Sequence, residues 1–137
     1  MNPHEALLKV KNTVETFGDE KARNSFYQEF GRRLGLLQLL NQYCSKGSLV
    51  VDLGAQPFIT SCAAKFLGHK VIAVDIDPER YLKIAESCGV EVCRADLERD
   101  RLCLSDGEAD CVIFSEVLEH LNPYYVGRTL SEINRVL

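Results

Sequence analysis

Two apolar runs, each closed by an aspartate, restrict what this chain can fold into more than any other feature. The first is Ser48-Leu-Val-Val-Asp-Leu-Gly54 and the second is Val71-Ile-Ala-Val-Asp75. Continuous apolar runs of this kind suit strands buried on both faces, as in a parallel sheet whose crossover helices cover each side. Between the two runs, Pro57 fits the first position of a helix, where its missing N–H removes no bond. Phe58, Ile59, Cys62, Ala63, Phe66 and Leu67 then form a buried stripe, and Gly68 suits the helix end. The alternation continues. Asp77-Pro78 supplies an N-cap and a first-turn proline for a helix that runs to about Cys88 and is closed by Gly89. Val90-Glu-Val-Cys93 reads as a third strand, Asp96 to Asp110 as a polar loop or short helix, and Cys111-Val-Ile-Phe114 as a fourth strand. From Pro123 a last helix places Val126, Leu130, Ile133 and Leu137 at apolar spacing. Strands alternating with helices argue for βαβ units and an α/β, Rossmann-like, doubly wound, mostly parallel sheet of about four strands.

The first 47 residues have a different character. Leu7, Val10, Val14 and Phe17 repeat at helical spacing until Gly18-Asp19. A second helix spans about Ser25 to Tyr43, with Phe26, Phe30, Leu34 and Leu37 on one stripe and Leu36, Leu39, Leu40 and Tyr43 widening it. So broad an apolar face packs against something larger. The division expected is a two-helix N-terminal cap or extension over 1–47 and a Rossmann-like core over 48–137.

Charge follows the same division. Residues 1–47 carry seven Lys/Arg and five Asp/Glu, and residues 48–137 carry nine and fifteen, which gives the overall −4. Arg32-Arg33 is the one basic doublet and reads as a solvated helix face, so there is no strong nucleic-acid signature. No run of 18 apolar residues is present to cross a membrane, and the first residues lack the basic start and apolar core of a secretory signal. The expected location is cytoplasmic. In that setting the six cysteines, none in a Cys-x-x-Cys pair, read as reduced thiols that serve as small buried hydrophobes. Of the histidines, His69 is expected at the surface and His4 in a frayed terminus.

Ligands of doubly wound sheets sit outside the carboxyl ends of the strands. The turn Asp52-Leu-Gly-Ala-Gln-Pro-Phe58 lies there, with Gly54 permitting a tight reversal, and Asp75 follows Gly54 by 21 residues. That spacing suits a carboxylate that accepts hydrogen bonds from ribose hydroxyls, so a nucleoside cofactor is expected. A dinucleotide would want glycines where Gln56 and Phe58 stand, and Pro57 removes a donor that could face a phosphate. S-adenosylmethionine, which has no phosphate, makes the weaker demand.

Five segments then carry a resemblance. Val50-Val-Asp-Leu-Gly-Ala55, Val71-Ile-Ala-Val-Asp-Ile-Asp-Pro-Glu79, Arg94-Ala-Asp96, the stretch from Asp106 to Leu121 that contains Phe114-Ser-Glu-Val-Leu-Glu-His120, and Leu130-Ser-Glu-Ile-Asn-Arg-Val-Leu137 stand in order. Across about residues 30 to 137 the chain resembles the class I S-adenosylmethionine-dependent methyltransferases. The resemblance implies strand order 3-2-1-4-5-7-6, of which this chain supplies about the first four, so that much of the substrate half is not represented. It also implies roles. Asp52, Gly54, Ala55 and Gln56 would shape the loop beside the methionine moiety, and Asp75 would hold the ribose with Ile76 against the adenine. Asp96 and Leu97 would lie at the adenine edge, while Ser115 and Glu116 would border the methionine end and the substrate opening. The family usually has glycines at the positions of Gln56 and Phe58, and the Phe58 ring must enter either the cofactor space or the core.

Glu116, Glu119 and His120 stand at i, i+3 and i+4, so a helical turn would group them. His120, with Glu119, is the candidate general base. A similar Glu/Glu/His cluster belongs to the metal site of small-RNA 2′-O-methyltransferases, which use a further downstream histidine that this chain lacks, and no metal is assigned. The implied function is S-adenosylmethionine-dependent methylation of a small molecule. The alternatives are a catalytically degenerate binding or regulatory subunit and, more distantly, an RNA 2′-O-methyltransferase or a nicotinamide oxidoreductase. An uncovered fourth strand would also invite homo-oligomerisation through the sheet edge.

Overall fold

A computed structural model describes residues 1–137. Four strands form its sheet: β1 (Leu49–Leu53), β2 (Lys70–Asp75), β3 (Glu91–Arg94) and β4 (Cys111–Ile113), all parallel and in the order β3-β2-β1-β4. This is the expected Rossmann-like arrangement. The register places Leu53 of β1 beside Val74 of β2 and Asp52 beside Ile113 of β4, so the carboxyl ends of the three strands form one rim.

Side chains alternate across the strands into two cores. Val50, Val71 and Ala73 face one layer, built by α1 (Pro3–Phe17), α2 (Glu20–Gln28), α3 (Phe30–Tyr43), α4 (Ile59–Phe66) and α5 (Leu82–Ser87). Val51, Leu53 and Val74 face the other, where Ala95, Leu102, Leu104, Ala109 and Val136 of α6 (Val126–Val136) complete a smaller cluster. Leu7, Val10, Val14, Phe26, Leu37 and Leu40 belong to the larger cluster, so residues 1–47 share one hydrophobic core with the sheet.

Three N-terminal helices form where two were expected. Asn2 caps α1 through a reciprocal pair, accepting from the Glu5 N–H at 2.8 Å while Glu5 accepts from the Asn2 N–H at 3.0 Å. His4 therefore sits in an ordered first turn, edge-on to Phe30, and not in a frayed end. Asp19 caps α2 by accepting from the Ala22 N–H at 2.9 Å. The break at Glu29 was hidden because the apolar stripe from Phe26 to Phe30 and Leu34 runs straight across it. The Arg33 guanidinium spans this break, donating to the Ser25 carbonyl at 2.7 Å and its hydroxyl at 2.8 Å.

Other local expectations are corrected by packing. The segment after Pro78 is a 3-10 turn, Glu79–Tyr81, followed by the short α5, and the Asp77 side chain caps neither; its N–H donates to the Asp75 carboxylate. On α6 the buried residues are Thr129 and Val136, whereas Leu130 and Leu137 are 47% and 54% exposed. Polar anchors set that rotation: the Thr129 hydroxyl donates to the Leu97 carbonyl at 2.7 Å, and Arg135 donates to the carbonyls of Leu104 and Leu102. His69, expected at the surface, is 2% exposed with neither ring nitrogen partnered, because the α4–β2 connection folds it inward. The cysteines are not all thiols. Cys93 of β3 and Cys103 of the following loop form a disulfide, because that loop runs back across the strand. No helix is long and apolar enough to cross a membrane.

Candidate functional site

The turn after β1 is the centre of the site. Gly54 has φ of +65°, and a Cβ there would lie 2.7 Å from the Val117 side chain, so glycine is required on both counts. The N–H groups of Gly54 and Ala55 donate to the Val74 carbonyl at 2.8 and 3.2 Å, which ties the turn to β2. The Gln56–Pro57 peptide is cis, and Phe58 adopts φ of +71°. The Phe58 ring enters the core and is fully buried, leaving the cofactor side clear. Helix α4 accordingly begins at Ile59, because a left-handed residue at 58 cannot be its first turn. Burial of the ring stabilises by about 1.5–3 kcal/mol, enough to offset the ~1–2 kcal/mol cost of the left-handed backbone.

A cavity of about 280 Å³ opens at the rim, close to the lower end of the ~300–1,000 Å³ range of small-molecule sites. Gly54, Asp75, Ile76, Asp96, Leu97 and Glu116 line it, together with His120. Asp75, nearly buried, accepts the Gln56 N–H on Oδ2 at 3.1 Å, and its Oδ1 receives the Asp77 N–H at 3.1 Å and the Gln56 side-chain amide at 3.3 Å. Ile76 is 59% exposed, an apolar surface presented beside that acid. Asp96 opens the opposite wall, its carboxylate accepting from the Glu98 N–H at 2.9 Å. Glu98 in turn accepts from the Asn122 N–H at 2.9 Å, tying the walls together.

A smaller polar niche, about 40 Å³, adjoins it and shares Gly54. Asp52, Ala55, Gln56 and Ser115 line this niche. The Asp52 carboxylate is buried and accepts the Ser61 hydroxyl at 2.6 Å. Burial pushes its pKa up to about 6, against the opposing pull of the Ser61 hydrogen bond and Arg33. Arg32 and Arg33 also border the niche, and neither forms a solvated face. Arg32 pairs with Glu29 at 2.6 Å and donates to the Ser115 hydroxyl at 2.9 Å. Arg33 is 5% exposed, and desolvation lowers its pKa to about 10. The amphipathic placement of the doublet in an otherwise apolar helix was the only sequence signal for either residue. Val117, whose side chain limits residue 54, and Thr60, which lines the niche, were missed as well.

The Glu116–His120 segment departs from the expected helical turn. Glu116 has φ of +58°, and only Leu118–His120 form a 3-10 turn, because Val117 is drawn inward onto Gly54. Glu116 and His120 reach the cavity, whereas Glu119 does not line it. The Glu119 carboxyl lies 3.8 Å from His120 Nε2 and is held below the ordinary carboxylate range, chiefly by a backbone N–H. No group of three or more His, Cys, Asp or Glu side chains converges to hold a metal ion.

A parallel 3-2-1-4 sheet with an acid closing β2 and an open cavity at its rim is the doubly wound arrangement in which ligands sit at the carboxyl ends of the strands. Residues 51–137 match the family model for a methyltransferase domain, and the chain belongs to that family. It is similar to a protein from Pyrococcus horikoshii OT3 at 29% identity and TM-score 0.68, covering 80% of this chain and 54% of that one. It also shares its fold with the 1,6-didemethyltoxoflavin-N1-methyltransferase of Burkholderia thailandensis, whose structure holds 1,6-didemethyltoxoflavin and S-adenosylhomocysteine (22% identity, TM-score 0.69, covering all of this chain and 60% of that one). A protein from Methanococcus maripaludis shares the fold at 15% identity and TM-score 0.68, over 98% of this chain and 58% of that one. The chain thus spans a little over half the length of these structures. No curated protein matches it significantly.

Proposed function

We propose that this domain binds S-adenosylmethionine across the two joined cavities and directs its methyl group to a small-molecule acceptor. The observation that carries the reading is the convergence of Gly54, Asp75, Ile76, Asp96, Leu97 and Glu116 on one cavity at the strand ends. The residues present suit this cofactor. Asp75 offers an acceptor to ribose hydroxyls, Ile76 and Leu97 offer apolar surface to a base, and Asp96 offers an acceptor to an exocyclic amine. At the niche, Asp52 with Arg32 and Arg33 presents both signs of charge, as the zwitterionic amino-acid end of the cofactor requires.

When bound, the cofactor supplies a reactive sulfonium methyl donor. What remains for the chain is alignment and exclusion of water. His120 reaches the cavity with a 77% exposed side chain and serves as the base that removes a proton from the acceptor, with Glu119 beside it. The small-molecule class draws support from the Burkholderia relative, and the outer edge of β4, which pairs only with β1, is the proposed surface for self-association.

Isothermal titration with S-adenosylmethionine and S-adenosylhomocysteine tests the reading. Binding is expected, with at least a tenfold loss in Asp75→Ala, and an unchanged affinity in that variant sinks the ribose assignment. A second reading, a non-catalytic binding subunit, draws on the Gln56 amide that already occupies Asp75. Transfer of labelled methyl to a pool of small nucleophiles separates the two.

A further inference from the structure

We propose that the Gln56 side chain is a displaceable plug on the ribose-binding carboxylate, and that it sets the affinity of the site for nucleosides. This rests on the cofactor reading above and extends it to a residue where the chain departs from its family. An ionised carboxylate offers about four acceptor positions, two on each oxygen. Three positions on Asp75 are filled from within the chain: the Gln56 N–H on Oδ2, and the Asp77 N–H and Gln56 Nε2 together on Oδ1. One position is left, whereas a vicinal ribose diol brings two donors.

Of the three internal donors, two are backbone groups fixed by the turn after β1 and by the segment leaving β2. The third is the Gln56 amide, the only one that rotation about side-chain bonds can remove. Its 3.3 Å contact with Oδ1 is also the longest of the three. The same Nε2 donates to the Asp77 carbonyl, so the amide bridges Asp75 and Asp77. Gln56 also lines the polar niche beside the cavity. A nucleoside therefore gains both hydroxyl contacts only after the amide leaves Asp75, and the lost internal bonds are subtracted from its binding. A residue without a side-chain donor at 56 removes that competition.

The test uses S-adenosylhomocysteine and 2′,3′-dideoxyadenosine as probes of the full chain by titration calorimetry. Gln56→Ala and Gln56→Gly are expected to bind S-adenosylhomocysteine about tenfold more tightly than the parent chain, which corresponds to ~1.4 kcal/mol. The dideoxynucleoside, which has no diol, is expected to show no gain in either variant. An independent readout is the Gln56 side-chain amide resonance of the parent chain, expected to move when S-adenosylhomocysteine is added. Equal or weaker binding by both variants, or an unmoved Gln56 resonance in the saturated protein, overturns the plug while leaving the cofactor reading intact. Absence of binding by the folded parent and both folded variants overturns the cofactor reading and the plug together.

Discussion

Phe58 couples backbone strain to core packing, and its replacement gives a prediction with an unusual ordering. The side chain is fully buried while its backbone has φ of +71°. Phe58→Ala removes the ring and leaves a cavity, at a cost of about 3–5 kcal/mol for a buried phenylalanine. Alanine keeps the Cβ and so still bears the left-handed conformation, which costs about 1–2 kcal/mol. Phe58→Gly is released from that strain and opens a cavity larger by the Cβ alone, a loss of about 0.8 kcal/mol. Against this, glycine gains about 0.5–1 kcal/mol of extra freedom in the unfolded chain. The glycine variant is therefore expected to be more stable than the alanine variant by up to about 1 kcal/mol, the reverse of the order found within regular helices. Urea denaturation followed by circular dichroism measures both, with equal slopes required for the comparison. Since a domain of this size is stable by only about 5–15 kcal/mol, either variant should show a clearly lowered midpoint. Alanine equal to or above glycine, or a loss below about 1 kcal/mol in both, refutes the claim that a strained backbone is held by ring burial.

Further outcomes follow from other parts of the fold. His69 is buried with both ring nitrogens unpartnered, and burial with the nearby Lys46 lowers its pKa below 6.5. The unfolded chain then binds this proton more readily, so the contribution of His69 is complete above about pH 6.5 and is lost as pH drops below that value. Asp52, its pKa raised to about 6, acts in the opposite direction over the same window, so the difference between two proteins is the readout: from pH 8 to 5 the melting temperature of His69→Leu should rise relative to that of the parent chain, and a constant difference refutes the assignment. The Cys93–Cys103 disulfide closes a loop with a sequence separation of 10 that carries Asp96 and Leu97. On loop-closure entropy its removal costs about 2.7 kcal/mol, read as a lower urea midpoint for Cys103→Ser. Alkylation before and after reduction should reveal two additional thiols, and full alkylation without reductant contradicts the pairing.

Apolar runs ending in Asp52 and Asp75, with an intervening amphipathic helix, were enough to specify a parallel sheet with its ligand side at the carboxyl ends. The reason is local: periodicity reports which faces are buried, and βαβ handedness leaves few ways to connect them. Asp75 and the apolar Ile76 after it were legible at the rim for the same reason, since both positions are fixed by the end of one strand. Other features depended on neighbours distant in sequence. Arg33 became a buried cation because α2 and α3 fold it over Ser25, and Arg32 reached the site only through Ser115, 83 residues away. Glu116, Glu119 and His120 failed to share a helical turn because Val117 packs on Gly54 and reverses the backbone at Glu116. His69 turned inward and Cys93 met Cys103 through chain crossings that no periodic pattern records. Short-range pattern was enough for the sheet, the rim at its carboxyl ends and the acids upon it. Tertiary structure alone decided which charges line the site and which amide already occupies its central carboxylate, because those contacts join segments that only the folded chain brings together.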